Sequence, residues 1–385
     1  MYFQRRRNDM KKSTKLISLL LAVMMIAALL PTAALADDNV QEASLTDTMG
    51  DIVDFVNGIK IPSYVVYCSL MSKLPASNAQ ITLTNNVTNE AHTYTANVLG
   101  LALIPKGLIG VYTVAATCDG ALTGLKYSSL PGLTMSLSAK IDFDKIILYP
   151  VLNIGLDYTD HFAYMVGYPN GTVKPEGNIT RAEVATIIYR LMTSESRDQY
   201  RSTSCSLKDV KAGAWYNEAV CSLVNAGIIE GYSDGTFKPN AYVTRAEFSA
   251  MIARMFSVSY VGSTMFEDIN GHWAENYINI LAKLGILKGD NGNANPDDNL
   301  TRAQAAAMCN RLTGRNSTSS SMSSCTGTVK EWPDNSESAW YYADILEATN
   351  SHNYTWTVNY RNMLSGETAL TEQWTNIRTD APNWK

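Results

Sequence analysis

Hydrophobic patterning divides the chain into two regimes. Between residues 61 and 155 the apolar positions fall in short runs: IPSYVVYCSLM, AQITLTNN, HTYTANVLGLALI, GVYTVAAT, LTMSLSAKIDF and DKIILYPVLN. These runs are rich in β-branched and aromatic residues and are separated by Gly, Pro, Asn and Asp. That pattern predicts about six short strands and a small β-sandwich. A short helix is expected just before it, over MGDIVDFVNGI. From about residue 158 the period becomes helical. Counting from Thr180, Thr244 and Thr301, positions +4, +7, +8 and +11 are apolar in each case: Val184, Ile187, Ile188, Leu191; Phe248, Met251, Ile252, Met255; Ala305, Met308, Cys309, Leu312. Each set is one buried stripe of a helix, and the methionines in it are core residues.

The helical region repeats. One half-unit, A, reads LKDVKAGAWYNEAVCSLVNAGII from Leu207 and FEDINGHWAENYINILAKLGIL from Phe266. The other, B, reads GYPNGTVKPEGNITRAEVATIIYRLM from Gly167, GYSDGTFKPNAYVTRAEFSAMIARMF from Gly231 and GDNGNANPDDNLTRAQAAAMCNRL from Gly289. Trp215 to Trp273 is 58 residues and Arg245 to Arg302 is 57, so both halves keep one period. The first B half has no A half before it. A late A half, EWPDNSESAWYYADILEATNSH, follows the last B half, with Asp334, Trp340 and Tyr341 matching Asp209, Trp215 and Tyr216. The order B, A-B, A-B, A predicts a pseudo-threefold unit closed by its own C-terminus.

The leader changes the charge and the compartment. Lys11, Lys12 and Lys15, the apolar run LISLLLAVMMIAALL and the end Ala34-Leu35-Ala36 predict a secretory signal over residues 1–36. The run is short of the ~20 residues a membrane span needs. Without it the chain holds 25 Lys+Arg against 35 Asp+Glu, a net of about −10. That acidity argues against nucleic acid as a partner and against an anionic membrane surface. Six cysteines (Cys68, Cys118, Cys205, Cys221, Cys309, Cys325) are too few for a disulfide scaffold of this length. Cys68 with Cys118 is a conceivable pair, and free thiols are as consistent.

Thr180, Thr244 and Thr301 at N-cap, with Glu183, Glu247 and Gln304 at N3, form capping boxes. Capping does not account for Arg181, Arg245 and Arg302. A cation in the first turn sits at the unfavourable end of the helix dipole, at the edge of the buried face. Two readings stand side by side. The guanidinium beside free helix N–H groups binds a carboxylate or phosphate ligand, or it forms a structural ion pair with a neighbouring repeat. Tyr168, Tyr232 and Asp234 lie in the turn that opens each B half, where Asn-Gly or Asp-Gly favours positive φ. Trp215, Trp273 and Trp340 each begin an A helix, as core anchors or as aromatic faces for a sugar ring.

The A-B unit resembles the S-layer homology domain, with its pattern F-x-D, W, A-x-x-L, G-I-I-x-G-Y-x-D-G-T-F-x-P and T-R-A-E. The likeness covers roughly residues 158–352 and is nearly continuous over 207–256. It implies a bacterial cell-surface protein of the S-layer type, with a triplet that binds pyruvylated secondary cell-wall polysaccharide in grooves between units. Arg181, Arg245 and Arg302 would grip the ketal carboxylate, and the aromatic residues and Asp234 would line the sugar. The third B half lacks the loop Tyr and Phe and carries Gln304 for Glu, so its groove is expected to be the weak one. IPKGLIGVYTVAAT, from Ile104, resembles the edge of prealbumin-like, collagen-adhesin B-type modules, and other surface proteins or host ligands are the partners expected of the β-module. Ala115 and Ala116 leave that family's isopeptide-assisting Glu absent.

The chemistry of an enzyme is not visible. His92, His161, His272 and His352 show no metal-ligand spacing, and no nucleophile elbow or phosphate loop occurs. Asp290, Asn291, Asn293, Asn295 and Asp297 lack the spacing and final Glu of a calcium hand. No metal or cofactor is expected. The expected fold is α+β multidomain: signal 1–36, tether and helix 37–60, β-sandwich 61–155, a B half over 156–200, full repeats over 205–258 and 264–313, a Ser/Thr-rich linker 314–330, and an A helix with tail over 331–385. The expected function is a non-catalytic, exported wall-bound protein. The alternatives are an adhesin working through its β-module and a small wall-bound glycan enzyme.

Overall fold

The computed structural model describes residues 64–380 apart from 71–75, 97–99, 105–107, 109, 120–125, 130–132, 138–141, 151, 257–259, 261 and 359–369. The leader, the tether and the short helix expected over 49–59 lie outside the described residues. The chain divides into a strand unit, centred on residues 64–118 and 127–149, and a helical unit from residue 150 onward.

The strand unit contains β1 (Tyr64–Leu70), β2 (Gln80–Asn85), β3 (Ala91–Thr95), β4 (Leu101–Ile104), β5 (Gly110–Asp119), β6 (Lys126–Ser128), β7 (Thr134–Leu137) and β8 (Asp142–Pro150). Hydrogen-bonded neighbours run β3-β2-β5-β6-β8-β1-β4, with β7 also on β5. Pairing is antiparallel for β1–β4, β2–β3, β2–β5 and β5–β7, and parallel for β1–β8. On β5, Tyr112, Val114, Ala116 and Cys118 are buried while Val111, Thr113, Ala115 and Thr117 are exposed, the period of two that one covered face imposes. The run HTYTANVLGLALI, read as one strand, is two. Gly100 interrupts it at φ +73°, where a Cβ would stand 2.3 Å from the Cys68 carbonyl oxygen. Cys68 and Cys118 are both free thiols, as are the other four cysteines.

The helical unit contains α1 (Arg181–Leu191), α2 (Ser194–Tyr200), α3 (Asn217–Asn225), α4 (Arg245–Ala253), α5 (Glu275–Lys283), α6 (Arg302–Leu312) and α7 (Tyr342–Thr349), followed by the hairpin β9 (His352–Val358) and β10 (Leu370–Ile377). All three expected capping boxes form, on Thr180, Thr244 and Thr301. The stripe residues of α1, α4 and α6 are buried throughout. Each B helix packs on the next A helix in sequence: α1 on α3, α4 on α5, α6 on α7. Residues 314–330 are not a bare linker; a 3-10 turn spans Ser319–Met322, and Ser321 and Arg315 are buried. Among the described residues no helix is long and apolar enough to cross a membrane.

Two devices join the halves. The Asp of each A half accepts two backbone N–H bonds from the turn of a B half. Asp209 takes Phe237 and Lys238 at 2.7 and 2.8 Å, and Asp268 takes Ala294 and Asn295 at 2.9 and 2.7 Å. Asp334, from the C-terminal A half, takes Val173 and Lys174 of the first B half at 3.0 and 2.7 Å. These bonds hold Lys174, Lys238 and Asn295 in the left-handed region, at φ 49°, 56° and 51°, where a non-glycine residue is strained. Next to them, Leu207, Phe266 and Trp332 lie on Gly231, Gly289 and Gly167, where a Cβ would come within 2.4 Å of the covering side chain. The C-terminal half therefore supplies the first B half with what the other A halves supply to theirs.

The second device is central. Ile179 N–H donates to Leu300, Leu300 N–H to Val243, and Val243 N–H to Ile179, at 3.0, 2.9 and 3.1 Å. The three residues are wholly buried. This ring of hydrogen bonds just before the three N-caps lies on the pseudo-threefold axis that the repeat order predicts.

Deleting residues 330–385 is expected to lower the melting temperature greatly, because it removes Asp334, Trp332 and α7 together. Asp334→Ala alone is expected to cost about 1–3 kcal/mol, since two turn N–H groups lose their acceptor. Urea denaturation measures the second; an unaltered thermal melt for the deletion would rule out closure by the C-terminus.

Candidate functional site: the grooves between repeats

The repeat Arg residues point across the interfaces that the ring creates. Arg181, Arg245 and Arg302 are buried, at 3, 7 and 3 % exposure, so each must find partners. Each Nε donates to a turn carbonyl of the following B half in the cycle: Arg181 to Phe237 (2.7 Å), Arg245 to Ala294 (2.6 Å), Arg302 to Val173 (2.8 Å). The first helical N–H groups are not free, as an anion site at the helix end would require. Arg181, Arg245 and Arg302 N–H donate to the carbonyls of Ala241, Asp298 and Gly177.

In two of the grooves the charge is met inside the protein. Arg181 Nη1 lies 3.1 Å from Glu247 Oε1, and Arg302 Nη1 lies 2.9 Å from Glu183 Oε1. The same Oε1 atoms accept the hydroxyls of Tyr232 (2.6 Å) and Tyr168 (2.9 Å). The Tyr rings in turn lie 4.7 and 4.8 Å from the guanidinium carbons of Arg181 and Arg302. Meanwhile Oε2 of each Glu takes its own N-cap N–H, Thr180 at 2.9 Å and Thr244 at 3.1 Å. One carboxylate thus caps its own helix with one oxygen and binds the neighbour's Arg with the other. Burial, and then the Glu247 carboxylate, push the Tyr232 phenol up to about 12, so it remains a hydrogen-bond donor. Tyr168 shifts upward from the same first cause. Of the two readings of the repeat Arg, the structural ion pair describes Arg181 and Arg302.

Arg245 differs. Among the described residues its side chain donates to carbonyls, those of Ala294 and Lys288 (3.2 Å), and to no carboxylate. The corresponding N3 residue is Gln304, whose single carbonyl oxygen caps Thr301 at 3.2 Å, leaving only an amide N–H₂. The Tyr position is Asp290 and the Phe position Ala294. Loss of ring and carboxylate together opens a cavity of about 880 Å³, lined by Arg245, Lys288, Asp290, Asp298, Gln304, Arg311 and Trp340, among others. The equivalent space beside Arg302, lined by Tyr168, Glu183, Arg190 and Trp215, is about 230 Å³. Burial lowers the Arg245 pKa from its ordinary value, with Asp298, Asp268 and Asp290 pulling the other way. Burial lowers Arg311 likewise, opposed by Asp344. The lining carries three cations and two carboxylates, so it is a net-positive pocket in an acidic chain.

Two of the repeat tryptophans stand at these cavities, Trp340 beside Arg245 and Trp215 beside Arg302. Trp215, Trp273 and Trp340 are 66, 58 and 64 % exposed, which excludes the core-anchor reading for all three. Asp234 is exposed and bound within its own turn, accepting Thr236 N–H at 3.0 Å. A second repeat cation escaped the sequence reading. Arg190, Arg254 and Arg311 each follow the capping Thr by ten residues, and their Nη1 atoms hold the carbonyls of Tyr164, Ile228 and Ile286. The fixed spacing is the signal that would have found them. In the second groove Arg254 is also paired with Glu230 at 2.7 Å.

Glu183→Ala is expected to cost on the order of 3 kcal/mol, because it strands the buried Arg302 as well as a capped helix. Gln304→Ala, which loses only its half of a cap, is expected to cost about 1 kcal/mol or less. Paired denaturant titrations check the difference; equal costs would contradict the dual role of the carboxylate.

Residues 163–185, 206–249 and 266–306 match the family described as S-layer homology domain. The chain is 32 % identical over 212 residues to cell surface glycoprotein 1 of Acetivibrio thermocellus, covering 51 % of this chain and 9 % of that protein. It is 33 % identical over 204 residues to the cellulosome-anchoring protein of the same organism, covering 51 % and 44 %. It is 32 % identical over 146 residues to an S-layer protein of Bacillus licheniformis, covering 37 % and 16 %. The chain thus spans less than half the length of each of these relatives. Three stretches of the helical unit match the S-layer homology domain, and the chain is a cell-surface, cell-wall-associated protein.

Proposed function

We propose that this protein is a non-catalytic surface protein anchored to the wall by an acidic, pyruvylated secondary cell-wall polysaccharide. The observation that carries the proposal is Arg245: a buried guanidinium with no carboxylate partner among the described residues, facing an open pocket beside Lys288, Arg311 and the exposed Trp340. A ketal carboxylate supplies the charged hydrogen-bond partner that Gln304 does not. Trp340 offers a flat apolar face to the sugar ring. The groove expected from sequence to be weak is therefore the one best built for this ligand. Arg181 and Arg302 already have Glu247 and Glu183, which an incoming acid would have to displace. The strand unit, prealbumin-like in this reading, serves as a spacer or an adhesion surface toward other surface proteins or host ligands.

Arg245→Ala is expected to weaken binding to purified walls by about 1–3 kcal/mol, roughly 5- to 150-fold in Kd. Gln304→Glu, which recreates the internal ion pair, is expected to weaken binding without loss of stability. Walls stripped of pyruvate are expected to bind poorly. Equal binding to native and depyruvylated walls rejects the ketal carboxylate as ligand. Full binding by both variants rejects this groove, and glycan release in the same assay restores the enzyme reading.

A further inference from the structure

The C-terminal half-unit carries a side-chain cluster that the other repeats lack. His161 precedes the first B half, Glu347 lies on α7, His352 on β9 and Glu372 on β10. The four are 1, 0, 0 and 0 % exposed, and one ligand atom from each lies within 4.8 Å of the others. At the place of Glu347, the other A helices have Ser222 and Ile280, both buried. A carboxylate there costs far more to bury than either, so packing alone gives no reason for it.

The distances suit four donors around one small ion. His161 Nδ1 stands 3.1 Å from His352 Nε2, 3.1 Å from Glu372 Oε1 and 3.2 Å from Glu347 Oε1. His352 Nε2 stands 3.1 Å from Glu372 Oε1 and 3.4 Å from Glu347 Oε2. Four donors bound at ~2.0–2.1 Å around one ion would be separated by ~3.3 Å. With Glu347 Oε1 as the fourth donor, four of the six edges are close to that length, and the four donor atoms all lie within 4.8 Å of one another.

The surroundings orient lone pairs inward. His352 Nδ1 lies 3.0 Å from the Asn350 carbonyl, which only accepts, so Nδ1 carries the proton and Nε2 presents its lone pair to the centre. Glu372 Oε2 accepts Asn316 N–H at 2.8 Å, and Glu347 Oε2 accepts the Ser317 hydroxyl. Ser317 is itself fixed by Trp374 Nε1–H at 2.7 Å. Tyr354 stacks on His161 at 3.9 Å and Trp374 on His352 at 3.7 Å. Glu347 Oε1 is left as a buried oxygen with no hydrogen bond, directed at the cluster. Arg315 does not supply one: it is 3.8 Å away, with its Nη groups on Phe162 and Asp160 carbonyls.

We propose that His161, Glu347, His352 and Glu372 form a closed structural site for a divalent first-row ion of the zinc type. Two imidazoles and two carboxylates suit zinc in four-coordination, and too few oxygens converge for calcium. With all four positions taken by protein and no solvent access, the ion is structural. It ties the β9–β10 hairpin and α7 to the segment before the first B half, across the closure of the ring. Sequence spacing missed it because the two histidines are 191 residues apart.

The test uses the full exported chain. After equilibration with zinc and removal of free metal, elemental analysis is expected to find one ion per chain. A chelator is expected to lower the melting temperature and zinc to restore it. Cobalt is expected to give the visible absorption of a tetrahedral site. Glu372→Gln and His352→Ala are expected to lose the ion. Ser317→Ala, which keeps all four ligands, is expected to bind it ~10- to 100-fold more weakly, and this variant decides the matter if the others fail to fold. A chain that retains no ion and melts identically with zinc, with chelator and untreated would overturn the proposal. Undiminished binding in Glu372→Gln or in Ser317→Ala would overturn it too.

Discussion

The ring of three backbone hydrogen bonds among Ile179, Val243 and Leu300 is the constraint on which the helical unit depends. Each residue donates to one neighbour and accepts from the other, in a place with no water to substitute, and an unmade bond there costs the full desolvation of its group. Completing the cycle fixes where the three N-caps stand, and through them the start of α1, α4 and α6. The Arg of each first turn is then forced against the next repeat's opening turn. Grooves arise at these junctions because a threefold arrangement of unlike halves leaves a seam at each join.

What happens in each seam depends on one side chain at N3. A carboxylate has enough oxygens to cap its own helix and also bind a guanidinium and a phenol; an amide does not. Glu183 and Glu247 therefore neutralise the Arg in their seams, while Gln304 with Asp290 leaves a wider one without an internal ion pair. A single change of charge, together with a lost ring, separates a scaffold contact from a pocket. The exposed tryptophans repeat regardless, so Trp340 stands beside an available cation while Trp215 stands beside a satisfied one.

Much of this was legible in the chain and some was not, for physical reasons. The capping boxes, the buried stripes and the Asp-bearing A halves are local or strictly periodic, and all appeared where expected. The return of the last A half to the first B half followed from counting halves. The ion pairs of Arg181 and Arg302 depend on which repeat faces which, and no local window holds that information. The third B half was expected to be weak from its missing residues, and whether they also enlarge the space beside Arg245 depends on the facing repeat, which no local window holds. In the strand unit the break at Gly100 was hidden inside a continuous run of strand-forming residues. The hairpin β9–β10 lies in what read as a tail, since Thr, Asn and Tyr there carry no clear alternation.

The borrowed A half has a kinetic side. Asp209 and Asp268 reach turns 28 and 26 residues away, but Asp334 reaches one 161 residues earlier. Closing the longer loop costs about 1.5 kcal/mol more chain entropy by the logarithmic rule, and such non-local contacts form late. During N-to-C synthesis the first B half waits, its turn unclamped and its apolar stripe half-covered, until nearly the whole chain has been made. Assembly of the ring is therefore a terminal event, and a truncated product carries a sticky, unfinished edge rather than a smaller version of the same object.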